Sequence, residues 1–242
     1  MMQKATDMES CKRIAKVFLD MDIESDPYYG DFIIHHPYFS SSIVMNMSGD
    51  LCNIIKDPSA LVLAKQQFRE RIDKANSYQY FLEILNKPYL LAFLKYTHSY
   101  LSIEDLSEYL SEAWQRVEFP NHDATFTKPQ ALTLFRQCDP SIMMDEEEQQ
   151  MLKDLPDRFS VYRCVKKGYG HKALSWTLSK DVAEWFSLRF SDHGMVYKAE
   201  IQKEDVFAVF LNRGEQEIVL NYKKLEKVRA LKQSRRHDDL MR

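Results

Sequence analysis

Glycine and proline are scarce in this sequence, with 6 and 8 occurrences, and its four cysteines show no paired spacing. So little glycine and proline excludes a collagen-like or low-complexity chain and leaves disorder expected only at the two ends. Cys11, Cys52, Cys138 and Cys164 are widely scattered, with neither zinc-ligand nor redox spacing, and read as reduced cytosolic thiols. Cys164 borders Arg163, whose charge would activate an accessible thiol, whereas burial would leave it inert.

Long apolar runs are also missing. The longest apolar-leaning stretch, around Tyr89 to Tyr96, is broken by Lys95 and preceded by Pro88, well short of the ~20 residues that span a bilayer. The N-terminus carries Lys4, Asp7 and Glu9 without the basic-then-apolar order of a secretion signal. A cytoplasmic protein with no membrane attachment is the expectation. Several enzyme signatures are absent as well. Gly168-Tyr169-Gly170 lacks the third glycine of a dinucleotide-binding turn, and no phosphate-loop lysine, zinc-protease or serine-elbow motif occurs. His35 and His36 are adjacent, but no carboxylate or cysteine stands at ligand spacing from them, so no metal is expected.

What remains is an ordinary globular composition, 45% hydrophobic and 12% aromatic, on 242 residues. That length holds one large domain or two small ones with a usable core. The net charge of −3 is unevenly spread. Residues 1–150 hold 14 Lys and Arg against 23 Asp and Glu, a balance of −9, while residues 151–242 hold 19 against 13, a balance of +6. A basic module therefore follows an acidic one, and such a module attracts polyanions when its charge is not merely solvated.

Apolar spacing predicts a mainly helical region over 1–150. Leu61, Leu63, Ala64, Phe68 and Ile72 recur at helical intervals between Ala60 and Lys74, and Tyr78 to Leu94 repeats the pattern around a break at Pro88. Ser102 with Asp105 opens a helix carrying Leu106, Tyr109, Leu110 and Trp114, and Thr127 with Gln130 has the form of a capping box. Residues 33–53 fit no assignment. Asp145 to Glu148 suits the first turn of a helix and reads as a cap and a boundary. After it the pattern changes to short strands at 159–165, 173–177, 195–201, 206–210, 217–220 and 227–231, interrupted by one helix at 179–190. The expectation is an α+β fold: a helical first half, a mostly antiparallel β core over 151–232, and a frayed basic tail at 233–242.

Three strand-like segments of that core carry polar groups where apolar ones belong. Arg163 sits near the end of an apolar strand and needs an anionic partner, either a protein carboxylate or a ligand pyrophosphate that matches its planar fork. Ser175 and Thr177 alternate around Trp176 and share one strand face, and Ser179 caps the following helix. Glu215 and Glu217 read as same-face carboxylates, which repel unless exposed, sharing a proton or serving a site. A carboxylate at a ribose 2-hydroxyl stabilises an oxocarbenium ion, and a second one orients or deprotonates an acceptor.

In order, Tyr162-Arg163, then Ser175-Trp176-Thr177-Leu178-Ser179 with Ala183 and Phe186 after it, then Gly214-Glu215-Gln216-Glu217-Ile218-Val219-Leu220, resemble the mono-ADP-ribosyltransferases of the arginine, serine, glutamate class. This is the branch of the cholera-toxin-like enzymes and the vertebrate ecto-transferases, and the likeness covers the final third of the chain. It implies a split β-sheet core, NAD as substrate and no metal. Arg163 would bind the NAD phosphates and ribose, with Ser175, Thr177 and Phe186 also in the NAD site. Ser175 would brace Glu217, the catalytic glutamate, and Glu215 would meet the acceptor. Trp176 departs from the small central residue of the family's triplet. The helices of 1–150 would cover one side of the NAD cleft, as in family members that carry helices before the first catalytic strand. The whole chain is also similar to transferases of prophage and anti-phage toxin–antitoxin loci, including chaperone-linked toxins that modify messenger RNA. That likeness implies an antitoxin partner and an RNA acceptor, which the basic module and Tyr169 suit. Glu two residues before the catalytic glutamate accompanies protein arginine acceptors in the family, so both acceptors stay open. A binding module without activity is the competing reading, since fold alone does not imply catalysis.

Overall fold

The computed structural model describes residues 5–45, 48–166, 168–189 and 194–231. The tail at 233–242 and Lys167 lie outside the described residues. The chain divides into two compact units, residues 1–127 and 128–242. The division therefore precedes the composition change at 150, and the acidic helix start at Asp145 falls inside the second unit.

The first unit begins with α1 (Met8–Leu19), capped by Asp7, whose carboxylate accepts from the Ser10 amide at 3.0 Å. Residues 24–53, of which sequence patterning left 33–53 unassigned, form two small antiparallel hairpins, β1 (Glu24–Asp26) with β2 (Gly30–His35) and β3 (Ile43–Met45) with β4 (Leu51–Asn53). Helices α2 (Pro58–Asp73), α3 (Tyr80–Ile84), α4 (Leu90–Thr97) and α5 (Ile103–Arg116) follow. The Ser102 hydroxyl accepts from the Asp105 amide at 3.0 Å, as the capping pattern predicts. The break at Pro88 is a short 3-10 turn between α3 and α4. Leu63 corrects the apolar stripe expected of α2: it is 60% exposed, whereas Ala60, Ala64 and Ile72 are buried, and it lines an open cavity with Ala60, Ala64, Val44, Met45 and Cys52.

Aromatic rings make up much of this unit's core. Tyr78, Phe81, Phe93 and Tyr109 are fully buried. Their ring centroids approach to 4.6 Å for Tyr78–Tyr109 and 4.8 Å for Phe81–Phe93, and Phe18 meets Phe93 edge-on at 5.5 Å. Such contacts add roughly 0.5–1.5 kcal/mol each to the burial itself. The Tyr78 hydroxyl pairs with Thr97 and the Tyr38 hydroxyl donates to the Ala15 carbonyl at 2.9 Å, so both rings enter the core without an orphaned oxygen.

The second unit opens with α6 (Lys128–Phe135), α7 (Pro140–Met143) and α8 (Glu146–Asp154). Asp145 and Glu148 form a reciprocal capping box at the start of α8. A six-stranded sheet follows, built from β5 (Arg158–Val165), β6 (Ser175–Thr177), β7 (Met195–Gln202), β8 (Val206–Phe210), β9 (Glu217–Leu220) and β10 (Glu226–Ala230). The helix α9 (Lys180–Arg189) intervenes between β6 and β7 and packs on β5, β6 and β7. The strand order is β10-β7-β5-β6-β9-β8, and every pairing is antiparallel. An α+β architecture, with a helical N-terminal region and a C-terminal antiparallel sheet, is thus the fold of this chain.

Helices α6 to α8 belong with the sheet because they seal its β8 edge. Phe135 stacks on Phe207 at 5.9 Å. The Val209 amide donates to the Met144 sulfur at 3.2 Å, and the Leu211 amide donates to the buried Glu148 carboxylate at 2.9 Å. Edge amides that would otherwise recruit another strand are satisfied within the unit.

Candidate active site

The sheet is two three-stranded halves, β10-β7-β5 and β6-β9-β8, that meet at one point. Strand β5 pairs with β7 continuously from Arg158↔Gln202 to Val165↔Met195, but with β6 only at Tyr162↔Thr177. Burial of Phe159, Val161 and Val165 fixes β5 in place, and Arg163 follows directly after its single paired position toward β6. Strand alternation sends Arg163 to the face opposite Tyr162, and so opposite Thr177 and Glu217, which pair in line with Tyr162. Its guanidinium approaches Glu217 through the gap between β5 and β6 and not across a shared face. Its Nη1 reaches across the gap between the strands and donates to the Ser175 carbonyl. The Nε of Arg163 is buried and has no hydrogen-bond partner.

Burial pulls the Arg163 guanidinium down to about 10, and the Glu217 carboxylate and Cys164 act against that shift. Arg163 therefore remains a cation at neutral pH, with Glu217 the largest electrostatic influence favouring its charge. Burial also pushes the Cys164 thiol up to about 11, outweighing the opposite pull of Arg163. The neighbouring charge does not activate this thiol.

Strand β6 pairs with β9 at Ser175↔Val219, Trp176↔Ile218 and Thr177↔Glu217. Thr177 therefore stands directly opposite Glu217, and Ser175 is its diagonal neighbour on the same face. The Trp176 indole points to the other face, is buried, and donates to the Ala173 carbonyl at 3.0 Å. A bulky residue at the centre of this triplet is accommodated as core.

Glu215 departs from the sequence expectation. The strand starts at Glu217, so Glu215 and Glu217 are not alternate residues of one strand. Glu215 ends a 3-10 turn over Asn212–Gly214, and Gln216 has a left-handed φ of 46°. Side chains in that region are strained unless the surroundings hold them. Here the end of β6 does so: the Thr177 hydroxyl donates to the Glu215 carbonyl at 2.6 Å, and the Leu178 amide donates to the Gln216 carbonyl at 3.3 Å. The Thr177 hydroxyl also accepts from the Ser179 amide at 3.1 Å, and the Ser179 hydroxyl from the Val182 amide at 3.2 Å, which starts α9. Thr177 thus ties the turn before Glu217 to the entry of the helix, a role its place in a triplet does not reveal.

Arg163, Ser175, Thr177, Glu215 and Glu217 come from two neighbouring strands, a third strand and the turn that feeds it. Phe186 belongs to α9, half-buried, with its ring edge-on to Trp185 at 5.1 Å. No family model, curated protein or solved structure matches this chain.

Among the described residues, no cluster of three or more His, Cys, Asp or Glu is placed to hold a metal ion. His36 is buried and stacked on Phe39 at 4.9 Å, while His35 pairs with Asp26 at 3.0 Å on β2. No helix among the described residues is long and apolar enough to cross a membrane. One basic residue near the site escaped sequence reasoning. Lys128, at the start of α6, feels the charge of Arg163. It is far from Arg163 in sequence, and no motif links the two.

Proposed function

We propose that the chain is an NAD-dependent mono-ADP-ribosyltransferase whose split antiparallel sheet holds the dinucleotide between Arg163 and Glu217. The observation that carries this reading is the one-pair junction of β5 and β6, where the Arg163 guanidinium donates to the Ser175 carbonyl and Thr177 stands opposite Glu217. A dinucleotide lying over that junction would offer its pyrophosphate to the guanidinium and its nicotinamide ribose to the carboxylate. In the reaction, the bond between nicotinamide nitrogen and ribose breaks with its electron pair leaving on nicotinamide. Glu217 steadies the oxocarbenium ion, and the acceptor nucleophile closes the new bond while losing its proton. Glu215, on the fastened turn ahead of Glu217, orients that acceptor or takes the proton. Ser175 and Thr177 flank Glu217 and fix its position.

RNA is the acceptor this reading favours, with an antitoxin protein as a partner that shields the site. The positive balance of residues 151–242 supports a polyanionic acceptor. Protein arginine is the second reading, supported by the carboxylate of Glu215.

The test is incubation with NAD carrying a labelled adenylate, in the presence of cell lysate, while nicotinamide release is followed. RNase-sensitive, protease-resistant label supports the RNA reading, and the reverse supports protein. Release without labelled macromolecule identifies simple NAD hydrolysis, and no release with any acceptor pool leaves a binding module. Glu215→Ala should reduce transfer to acceptor more than hydrolysis of NAD, and equal loss of both would remove its acceptor role.

A further inference from the structure

Lys128 and Arg163 are fastened to the same short stretch of chain. The half-buried Lys128 ammonium donates to the Lys172 carbonyl at 2.8 Å, and the Arg163 guanidinium donates to the Ser175 carbonyl. Two residues, Ala173 and Leu174, lie between these carbonyls, so the carbonyls are no more than about 11 Å apart even if the chain is fully extended. The same stretch carries His171, whose ring packs at 5.2 Å on Tyr197, the residue paired with Arg163 on β7.

Two half-buried cations held this way oppose each other. The Lys128 ammonium is shifted down, first by burial and then by Arg163. Among the described residues, neither is ion-paired with a carboxylate. Each nevertheless keeps donors to spare. Arg163 has a buried Nε–H with no acceptor, and Lys128 uses one of its three N–H groups on Lys172. A dianionic ligand on the free faces of the two cations relieves that repulsion.

We propose that Lys128 and Arg163 form one oxyanion subsite that takes a pyrophosphate, with Lys128 supplying the second cation. As a site for NAD it rests on the transferase reading; as a site for pyrophosphate it does not. Lys128 is then a positioning residue for the substrate phosphates and makes no contact with the reacting ribose.

Inorganic pyrophosphate titrated calorimetrically into the full chain tests this directly. Lys128→Ala should weaken binding by roughly tenfold, the effect of one charge-assisted hydrogen bond, and Lys128→Arg should restore most of it. Lys180→Ala is the control. It removes a surface cation that pairs with Glu184 at 2.7 Å, and it should change the affinity less than about twofold if the effect is local. Equal weakening by Lys128→Ala and Lys180→Ala, or no measurable pyrophosphate binding, would overturn the subsite. With NAD, Lys128→Ala should raise KM and leave kcat nearly unchanged. An unaltered KM would also overturn the assignment while leaving the transferase reading intact. Pyrophosphate binding that depends on Lys128, in a protein that releases no nicotinamide, would sustain the subsite and remove the transferase reading.

Discussion

His36 in the first unit and Arg163 in the second each bury a ring or guanidinium nitrogen that makes no well-formed hydrogen bond; at His36 the Leu19 and Met21 backbone approaches the ring, whereas the Arg163 Nε meets no acceptor. Their responses differ. Burial, aided by Lys65, pulls His36 down to about 4, so the imidazole is neutral at physiological pH. Its Nδ1 accepts from the Tyr38 amide at 3.1 Å, a bond only the uncharged acceptor can make. Arg163 has no such escape, because a guanidinium pulled down to about 10 is still charged at pH 7. A buried group that can discard its charge belongs to packing, whereas one that cannot calls for a counter-ion. This contrast separates a core histidine from a candidate ligand-binding arginine without reference to any relative.

The largest expected effect tests the charged side of the comparison. If Glu217 steadies the ribosyl cation, Glu217→Gln should cut nicotinamide release by roughly 100- to 1000-fold with melting behaviour unchanged. An active variant would assign catalysis elsewhere. The neutral side is tested by acid. The folded His36 value of about 4 lies below its ordinary 6.5, so the unfolded chain takes up the extra proton between those limits. Stability from this residue is complete above about pH 6.5 and declines as pH falls toward 4, by about 3 kcal/mol in all. Urea unfolding at pH 7 and pH 4.5 measures the slope, which His36→Phe should flatten. A slope unchanged in that variant would place the acid sensitivity at another group.

A smaller effect is expected at Glu148, a buried carboxylate whose acceptors are used. It accepts from the Leu211 amide at 2.9 Å and from the Asp145 amide at 3.1 Å. Glu148→Ala should cost about 1–3 kcal/mol by stranding those donors. Hydrogen exchange at the Leu211 amide should accelerate with it, and unchanged exchange would mean that water replaces the carboxylate.

Much of the second unit was legible in the sequence. Its strands alternate strongly enough, and Asp145 and Ser179 cap clearly enough, that observed boundaries fall within a residue or two of those the pattern predicts. The hairpins of 24–53 were not legible, because β1, β3 and β4 are only three residues long and bury no alternating face. The turn at Glu215 was hidden for a different reason. Gly214 marks a turn there, but Gln216 itself adopts a left-handed conformation that Thr177 and the Leu178 amide support from β6 and its end, and its residue type gives no sign of it. Charge located a boundary near 150, but packing of Phe135, Met144 and Glu148 against the sheet edge places 128–154 with the strands. Lys128 was invisible because its relation to Arg163 exists only through space.

Joined at a single rung, the two halves of the sheet have a seam, and the Arg163 side chain stitches it by standing in for the next main-chain bond. A small tilt of one half against the other therefore falls on that side-chain bond and on α9, which packs on β5, β6 and β7 across the seam. A molecule seated over the seam would act as a brace, slowing amide exchange around Tyr162 and Thr177 while leaving the long β5–β7 ladder as it was.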